Sequence, residues 1–212
     1  MIRRTLIKTV ALGLFGYAPA RAEDREAGLY APAPPQGSAF IRIFNGRGGL
    51  TSQIAIGDKR LGALAANTAS AYAIVKAGLV RVALSGGTIE TVNAIAGGFA
   101  TLALLPGGKA KQFRDPAAPG PMKASLQLYN LTDMPLALRT PDNRQEIIAN
   151  TAPLGFGQRL VNAARTGLLL TGGGKSATIA PVLIERGAAY SVFAWTNQGQ
   201  LRGMVSRAST QS

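Results

Sequence analysis

The sequence predicts an all-β chain: two tandem small β-sandwiches, immunoglobulin-like or jelly-roll-like, packed together. Three observations carry that expectation. Short apolar stretches broken by Gly, Asn, Asp and Pro run from about residue 38 to residue 207, the spacing of a sandwich. Within them apolar and polar residues alternate, and side chains on a strand point alternately to opposite faces. One strand also comes back: Phe40-Ile41-Arg42-Ile43-Phe44-Asn45 returns 85 positions later as Ser125-Leu126-Gln127-Leu128-Tyr129-Asn130. In each copy an apolar pair flanks one polar residue, an aromatic follows, and an Asn closes the strand. An Asn side chain can bond nearby backbone and end a strand there. A strand that recurs with its terminator marks a duplicated unit.

In order, residues 1–22 read as a secretory signal. Arg3, Arg4 and Lys8 precede the apolar run Val10–Tyr17, and Ala20-Arg21-Ala22 supplies a small-x-small cleavage site. The run is too short to span a bilayer, which takes about 20 apolar residues. Residues 23–37 form a leader rich in Pro, with Leu29-Tyr30 as an apolar handle that suits a strap lying along a domain. The first sandwich covers 38–113. Its strands are expected at Phe40–Phe44, Ser52–Ile56, Ala69–Val75, Leu79–Leu84, Ile89–Ile95 and Phe99–Leu105. Val80, Val82 and Leu84 share one face, with Arg81 on the other. Leu61–Ala69 is Ala-rich and has helical propensity, but alternation resumes at Ser70-Tyr72-Ile74 and limits any helix to one turn.

The stretch Pro106 to Pro121, with paired glycines and two further prolines, is expected to connect the units, the linker proper being 114–122. The second sandwich covers 123–207, with strands at Ser125–Tyr129, Leu136–Thr140, Gln145–Ile148, Gly157–Val161, Gly167–Thr171, Thr178–Ile184, Ala189–Trp195 and Leu201–Val205. Two further matches tie the units together. Ala77-Gly78-Leu79 aligns with Thr166-Gly167-Leu168, and Phe99 with Tyr190, which puts Leu102 and Leu104 on the face of Phe193 and Trp195. Each unit is small for an independent core, so the two should pack on each other. Residues 208–212 read as a frayed polar tail.

Composition excludes more chemistry than it suggests. The chain has no Cys and no His, hence no disulfide, no Ser-His-Asp triad and no thiolate or imidazole metal ligand. No catalytic, cofactor-binding or metal-binding residue is assigned, and the chain is not expected to be an enzyme. From Ala27 onward the acids Asp58, Glu90, Asp115, Asp133, Asp142, Glu146 and Glu185 are scattered, as on a solvated surface. Thr171-Gly172-Gly173-Gly174-Lys175-Ser176 ends like a phosphate loop, but position 169 is Leu and a strand pattern follows, so it reads as a glycine hairpin. The net charge is +13, which favours a polyanion. Export argues against nucleic acid and for an acidic polysaccharide, whose carboxylates match the two-pronged guanidinium. The candidate contacts for partner or polymer are Tyr30, Arg42, Arg47, Arg60, Arg159 and Arg165, with Arg42 on the outward face of the founding strand. A distributed, solvated charge is the competing reading.

Gly28-Leu29-Tyr30-Ala31-Pro32, followed by Pro35-Gln36-Gly37-Ser38-Ala39-Phe40-Ile41-Arg42, resembles the AlgF family, periplasmic proteins of alginate O-acetylation. The likeness continues through Leu61–Gly78 and, more weakly, to Leu183-Ile184-Glu185-Arg186-Gly187. The resemblance implies an exported two-domain β protein. It would be a non-catalytic adaptor for periplasmic and membrane-bound O-acetyltransferase components that act on an exopolysaccharide, alginate or similar. Two alternatives stand beside it: a free-standing module that binds an acidic polysaccharide, and an acetyl-relay protein using a Ser or Tyr acceptor.

Overall fold

The founding strand lies at the centre of each half. In a computed structural model, which describes residues 34–211 apart from 85, 86 and 88, seventeen strands form four sheets. β1 (Ser38–Asn45) is bordered on one side by β4 (Thr68–Ala69) and β5 (Ala73–Lys76). On the other side come β8 (Phe99–Leu104) and then β9 (Ala110–Asp115). The sheet opposite it has the order β3-β2-β6-β7, from Lys59–Leu64, Thr51–Ile56, Gly78–Ala83 and Ile89–Ala94. The second half repeats the plan. β10 (Ala124–Asn130) sits between β13 (Phe156–Val161) and β16 (Ala189–Asn197), with β17 (Gln200–Arg207) outside. The opposing sheet is β12-β11-β14-β15, from Glu146–Thr151, Leu136–Arg139, Ala164–Gly172 and Lys175–Ile184. The β1–β8 and β10–β16 pairings are parallel and every other strand pairing is antiparallel, so an unusual feature is shared by both halves.

Each sandwich closes over its own apolar faces. Ile41, Ile43, Ile54, Ile56, Val80, Val82, Leu102 and Leu104 fill the first core; Leu126, Leu128, Leu136, Leu138, Leu168, Leu170 and Val192 fill the second. The closing asparagines behave alike. Asn45 Nδ2 donates to the carbonyls of Gly49, Leu64 and Ala65 at 2.9, 3.0 and 3.2 Å. Asn130 Nδ2 donates to those of Met134, Thr151 and Ala152 at 2.8, 3.0 and 2.9 Å. In each copy the side-chain oxygen accepts the backbone N–H two residues on, from Arg47 and from Thr132. Both asparagines are fully buried, because each ties loops from the opposing sheet to the end of the founding strand.

The glycine hairpin is as expected. Gly173 and Gly174 both have positive φ between the paired Gly172 and Lys175, which is what a two-residue turn with left-handed central residues requires. All eight strands foreseen in the second half are present. In the first half the structure departs from expectation in three places, the first being the strand expected at Ala69–Val75, which is split into β4 and β5. Lys59–Leu64 is a strand with no buried residue, bulged at Gly62 with φ 74°; its sequence carries no alternation to reveal it, and no helical turn forms in the Ala-rich stretch Leu61–Ala69. Lys111 to Asp115 belongs to β9, with Pro106–Gly108 as a 3-10 turn before it; a strand with Phe113 as its one large apolar residue reads as linker. The segment joining the halves is therefore 116–123.

The register also corrects two alignments. Thr101 lies opposite Arg42 as Ser191 lies opposite Gln127, and Ala100 opposite Ile41 as Tyr190 opposite Leu126. Tyr190 therefore corresponds to Ala100 and not to Phe99. A slip of one residue exchanges the faces of a strand, so Leu102 and Leu104 sit in a core while Phe193 and Trp195 do not. Likewise Leu79 is 78% exposed and Leu168 fully buried; Val80 is the residue that fills Leu168's role.

The tail is not frayed. Ala208 N–H donates to Ala189 O, Tyr72 N–H to Ser209 O and Gln211 N–H to Tyr72 O, at 2.9, 2.8 and 2.8 Å. Residues 208–211 thus run from the second sandwich to the first and bond to it. The secretory signal and most of the leader, with Tyr30, lie outside the described residues. Among those described, no helix is long and apolar enough to cross a membrane.

Candidate functional site

Where the two founding strands turn their other faces, the sandwiches meet. Phe44, Ala103, Leu105 and Phe113 of the first half and Tyr129, Leu131 and Phe193 of the second form one buried cluster. Phe193 stacks on Phe44 with ring centroids 4.1 Å apart and on Tyr129 at 4.6 Å; Phe113 and Phe156 meet the Tyr129 ring edge-on at 5.3 and 5.0 Å. Offset and edge-on aromatic pairs of this kind add about 0.5–1.5 kcal/mol each beyond burial. The chain's single Trp, Trp195, packs at the margin, 6.0 Å from Phe44.

Beside this apolar cluster lies a buried polar hub centred on Arg42. The expectation that Arg42 is an outward contact for polymer is corrected: it is 1% exposed. It does face away from its own core, but the second sandwich covers that face. Arg42 Nε donates to Thr101 Oγ1 at 2.8 Å, and Nη2 donates to Tyr129 Oη at 2.9 Å and Ser191 Oγ at 2.7 Å. The guanidinium also stacks on the Tyr72 ring, 4.6 Å from its centroid.

Asp115 is the counter-charge, although its Oδ2 is 3.9 Å from Nη2 and makes no direct hydrogen bond to it. It accepts from Tyr72 Oη at 2.7 Å, Thr101 Oγ1 at 2.5 Å and Tyr129 Oη at 2.7 Å. Thr101 and Tyr129 therefore each accept a hydrogen from Arg42 and pass one to Asp115. Ser191 does the same toward Gln127 Oε1, 3.3 Å away. Buried charges need such partners, and here hydroxyl relays supply them. Asp115 is thus another correction: it is a buried member of the hub and not part of a solvated surface.

The hub has the residue types of an acyl acceptor site, hydroxyls beside a carboxylate and a guanidinium, but its electrostatics oppose that use. Burial, with Asp115 adding to it, pushes the Tyr72 and Tyr129 phenols well above their ordinary value, so both hold their protons throughout the physiological range. Thr101 and Ser191 are fully buried and their hydrogens are engaged. What the arrangement does is lock two sandwiches in one orientation.

The remaining candidates are dispersed. Arg60 lies on the exposed edge strand β3, Arg165 on β14, and Arg159 on the edge strand β13, where Nη1 reaches the Glu146 and Ile147 carbonyls at 3.4 and 3.3 Å. Arg47 is half-buried after β1. They do not converge. The residues that do converge, Tyr72, Thr101, Asp115, Gln127, Tyr129 and Ser191, had one sequence signal among them: a polar residue at the same place in both copies of the founding strand. Among the described residues no three acidic groups gather as a metal site would require.

Residues 9–191 match the family model described as "Alginate O-acetyl transferase AlgF". The alginate biosynthesis protein AlgF of Pseudomonas syringae pv. tomato is 29% identical over 188 residues, covering 88% of this chain and 84% of that protein. The AlgF of Pseudomonas aeruginosa is 27% identical over 203 residues, 95% of this chain and 93% of that one. Solved structures of the C-terminal and N-terminal domains of the P. aeruginosa protein are each 25% identical, cover 41% and 40% of this chain, and give TM-scores of 0.37 and 0.35. With a family model running through most of both sandwiches, the chain belongs to the AlgF family of alginate biosynthesis proteins.

Proposed function

We propose that this chain is a non-catalytic periplasmic accessory protein for O-acetylation of an exopolysaccharide, alginate or a close relative, and that it bridges the acetyltransferase components. The observation that carries the reading is the use made of the buried hub. The hydroxyls nearest a buried carboxylate are all committed to holding Arg42 and Asp115, and burial keeps the two phenols protonated. With no His or Cys in the chain, an acetyl-relay through these groups has no activated nucleophile. A rigid two-sandwich body with edge strands and loops on either side suits a bridge, since binding residues are commonly carried on loops held by a rigid scaffold.

The test is capture and reconstitution. The exported protein, immobilised, is expected to retain both a periplasmic and a membrane-bound O-acetyltransferase from the cognate envelope, and to raise polymer acetylation only when they are present. Acetylation by the purified chain alone, or failure to retain either enzyme, would refute the reading.

A further inference from the structure

An open edge strand offers backbone groups to other chains, and proteins blunt such edges with charges, Pro, bulges or brevity. Among the described residues all but one edge follow that rule. β3, β5, β9, β13, β15 and β17 each carry Lys or Arg, β4 has two residues, and β12 is bulged against β11. β7 is the exception. Ile89-Glu90-Thr91-Val92-Asn93-Ala94 has no Lys, Arg or Pro, and it pairs with β6 through six residues without a shift in register. Its one charge, Glu90, is half-buried opposite Val82. Its exposed side chains include Ile89, and Leu79 on β6 and Ile95 just beyond the strand are exposed as well. The backbone is open too. Gly57 N–H donates to Arg81 O at 2.8 Å, so Arg81 bonds toward β2 and Thr91, opposite it, faces outward. Asn93 O also points off the sheet, where Gln112 Nε2 of β9 donates to it at 3.2 Å. With a period of two, Ile89, Thr91 and Asn93 therefore turn their backbone groups outward, while Glu90, Val92 and Ala94 bond to β6. At the end of the strand a cavity of about 210 Å³ is lined by Asn93, Ala94, Ile95 and Arg114. Arg114 is exposed, and the carboxylate next to it in the chain, Asp115, is committed to the hub.

We propose that β7 receives an extended segment of one O-acetyltransferase component as an added strand. The outward backbone groups of Ile89, Thr91 and Asn93 supply the hydrogen bonds, and side chains at alternate positions supply the selectivity. Ile89 and Ile95 call for apolar residues in the incoming strand, and Arg114 calls for a carboxylate. Two copies joined through β7 would bring together chains of charge +13 and their Arg114 side chains, so an acidic segment of another protein fits this edge and a second copy does not. The proposal rests on the reading that the chain bridges acetyltransferase components, and it names the surface that one of them uses.

The experiment mixes the exported protein with each purified cognate enzyme, the periplasmic O-acetyltransferase and, in detergent, the membrane-bound one. Amide hydrogen exchange is read residue by residue. One of the two enzymes is expected to slow exchange at least tenfold at Ile89, Thr91 and Asn93, and less than twofold at Glu90 and Val92, whose amides already bond to β6. Thr91→Pro, which removes one outward N–H, is expected to weaken binding of that enzyme about tenfold, a loss of about 1.4 kcal/mol, and binding of the other less than twofold. Thr91→Ala keeps the N–H and is expected to change neither. Slowing that is absent, or uniform along β7, would overturn the proposal. So would undiminished binding by Thr91→Pro, equal losses for both enzymes, or self-association of the purified chain that protects the β7 amides. Unaltered protein that binds both enzymes with its β7 amides unmoved means that this edge alone fails. Binding of neither enzyme means that the bridging reading fails and takes this proposal with it.

Discussion

Replacing Arg42 by Met should unlock the sandwiches. The change removes three donated hydrogen bonds, to Thr101, Tyr129 and Ser191, and leaves the Asp115 side chain, 1% exposed, with no cation beside it. Removing one member of a buried ion pair costs about 3–5 kcal/mol, mainly because the other charge stays behind. For a chain of this size each kcal/mol lowers Tm by roughly 2–4 °C, so a fall of about 6–20 °C is expected. Trp195 lies at the margin of the interface cluster, so its fluorescence should respond before the far-ultraviolet dichroism of the strands. Urea titration followed by both signals is the assay. Asp115→Leu alone should cost a similar amount, and the double variant should be less destabilised than the two losses added, by about 1–3 kcal/mol. An Arg42→Met loss below about 1 kcal/mol, or strict additivity in the double variant, would refute the view that these two charges hold the interface together.

Two further predictions come from the same region. Deleting residues 208–212 removes the backbone bonds to Ala189 and Tyr72; the Tyr72 amide should lose its hydrogen-exchange protection and stability should fall by about 1–3 kcal/mol, whereas unchanged protection would mean that the tail is not a clasp. Alkaline stability should also show the hub. Tyr72 and Tyr129 titrate above their ordinary value of 10.0 in the folded chain, chiefly through burial, so above about pH 10 the unfolded state has released protons that the folded state keeps, and stability present below that pH falls by about 1.4 kcal/mol per pH unit for each phenol. Phenolate absorbance and urea midpoints taken between pH 9 and 11 check this, and a flat midpoint across that window would count against buried, protonated phenols.

Much of the fold was legible because alternation is a strong signal where a strand is buried on one face. β6, β7 and β11 carry it, and β1 and β10 alternate in sequence although the interface covers their second face as well. It failed at β3 and β9, edge strands whose sequences, Lys59–Leu64 and Ala110–Asp115, are basic and poor in large apolar residues. Edge strands are kept that way because an apolar open edge invites pairing with other chains. The candidate site was largely hidden for a different reason. A polar residue opposite a core face reads as solvent-facing, and nothing in Arg42 or Gln127 themselves says that another sandwich lies over them. The register slip at Phe99 and Tyr190 had the same origin. Residue type alone pairs Phe99 with Tyr190, whereas the strand pairing sets Phe193 in the place of Ala103, because a ring needed on one side of a shared interface leaves room for only a methyl on the other.

That inequality is what the duplication required. Both copies present the same face of their founding strand to each other, so identical residues there would meet their own kind. Two arginines at the positions of Arg42 and Gln127 would bring like charges together in a buried space, and two tyrosines at the positions of Phe44 and Tyr129 would need twice the acceptors. Instead one copy carries the guanidinium and the other a neutral amide. One carries Phe44 and the other the hydroxyl that joins Arg42 to Asp115. The outer strands diverge with them: β9 supplies Asp115 to the hub, while β17 runs on into the tail that bonds Tyr72. These departures from the repeat fall where the two copies touch, while the apolar cores and the closing asparagines, which meet only their own sandwich, keep the same plan. A consequence is that neither sandwich carries a complete hub, and the arginine of one half is held by hydroxyls of both.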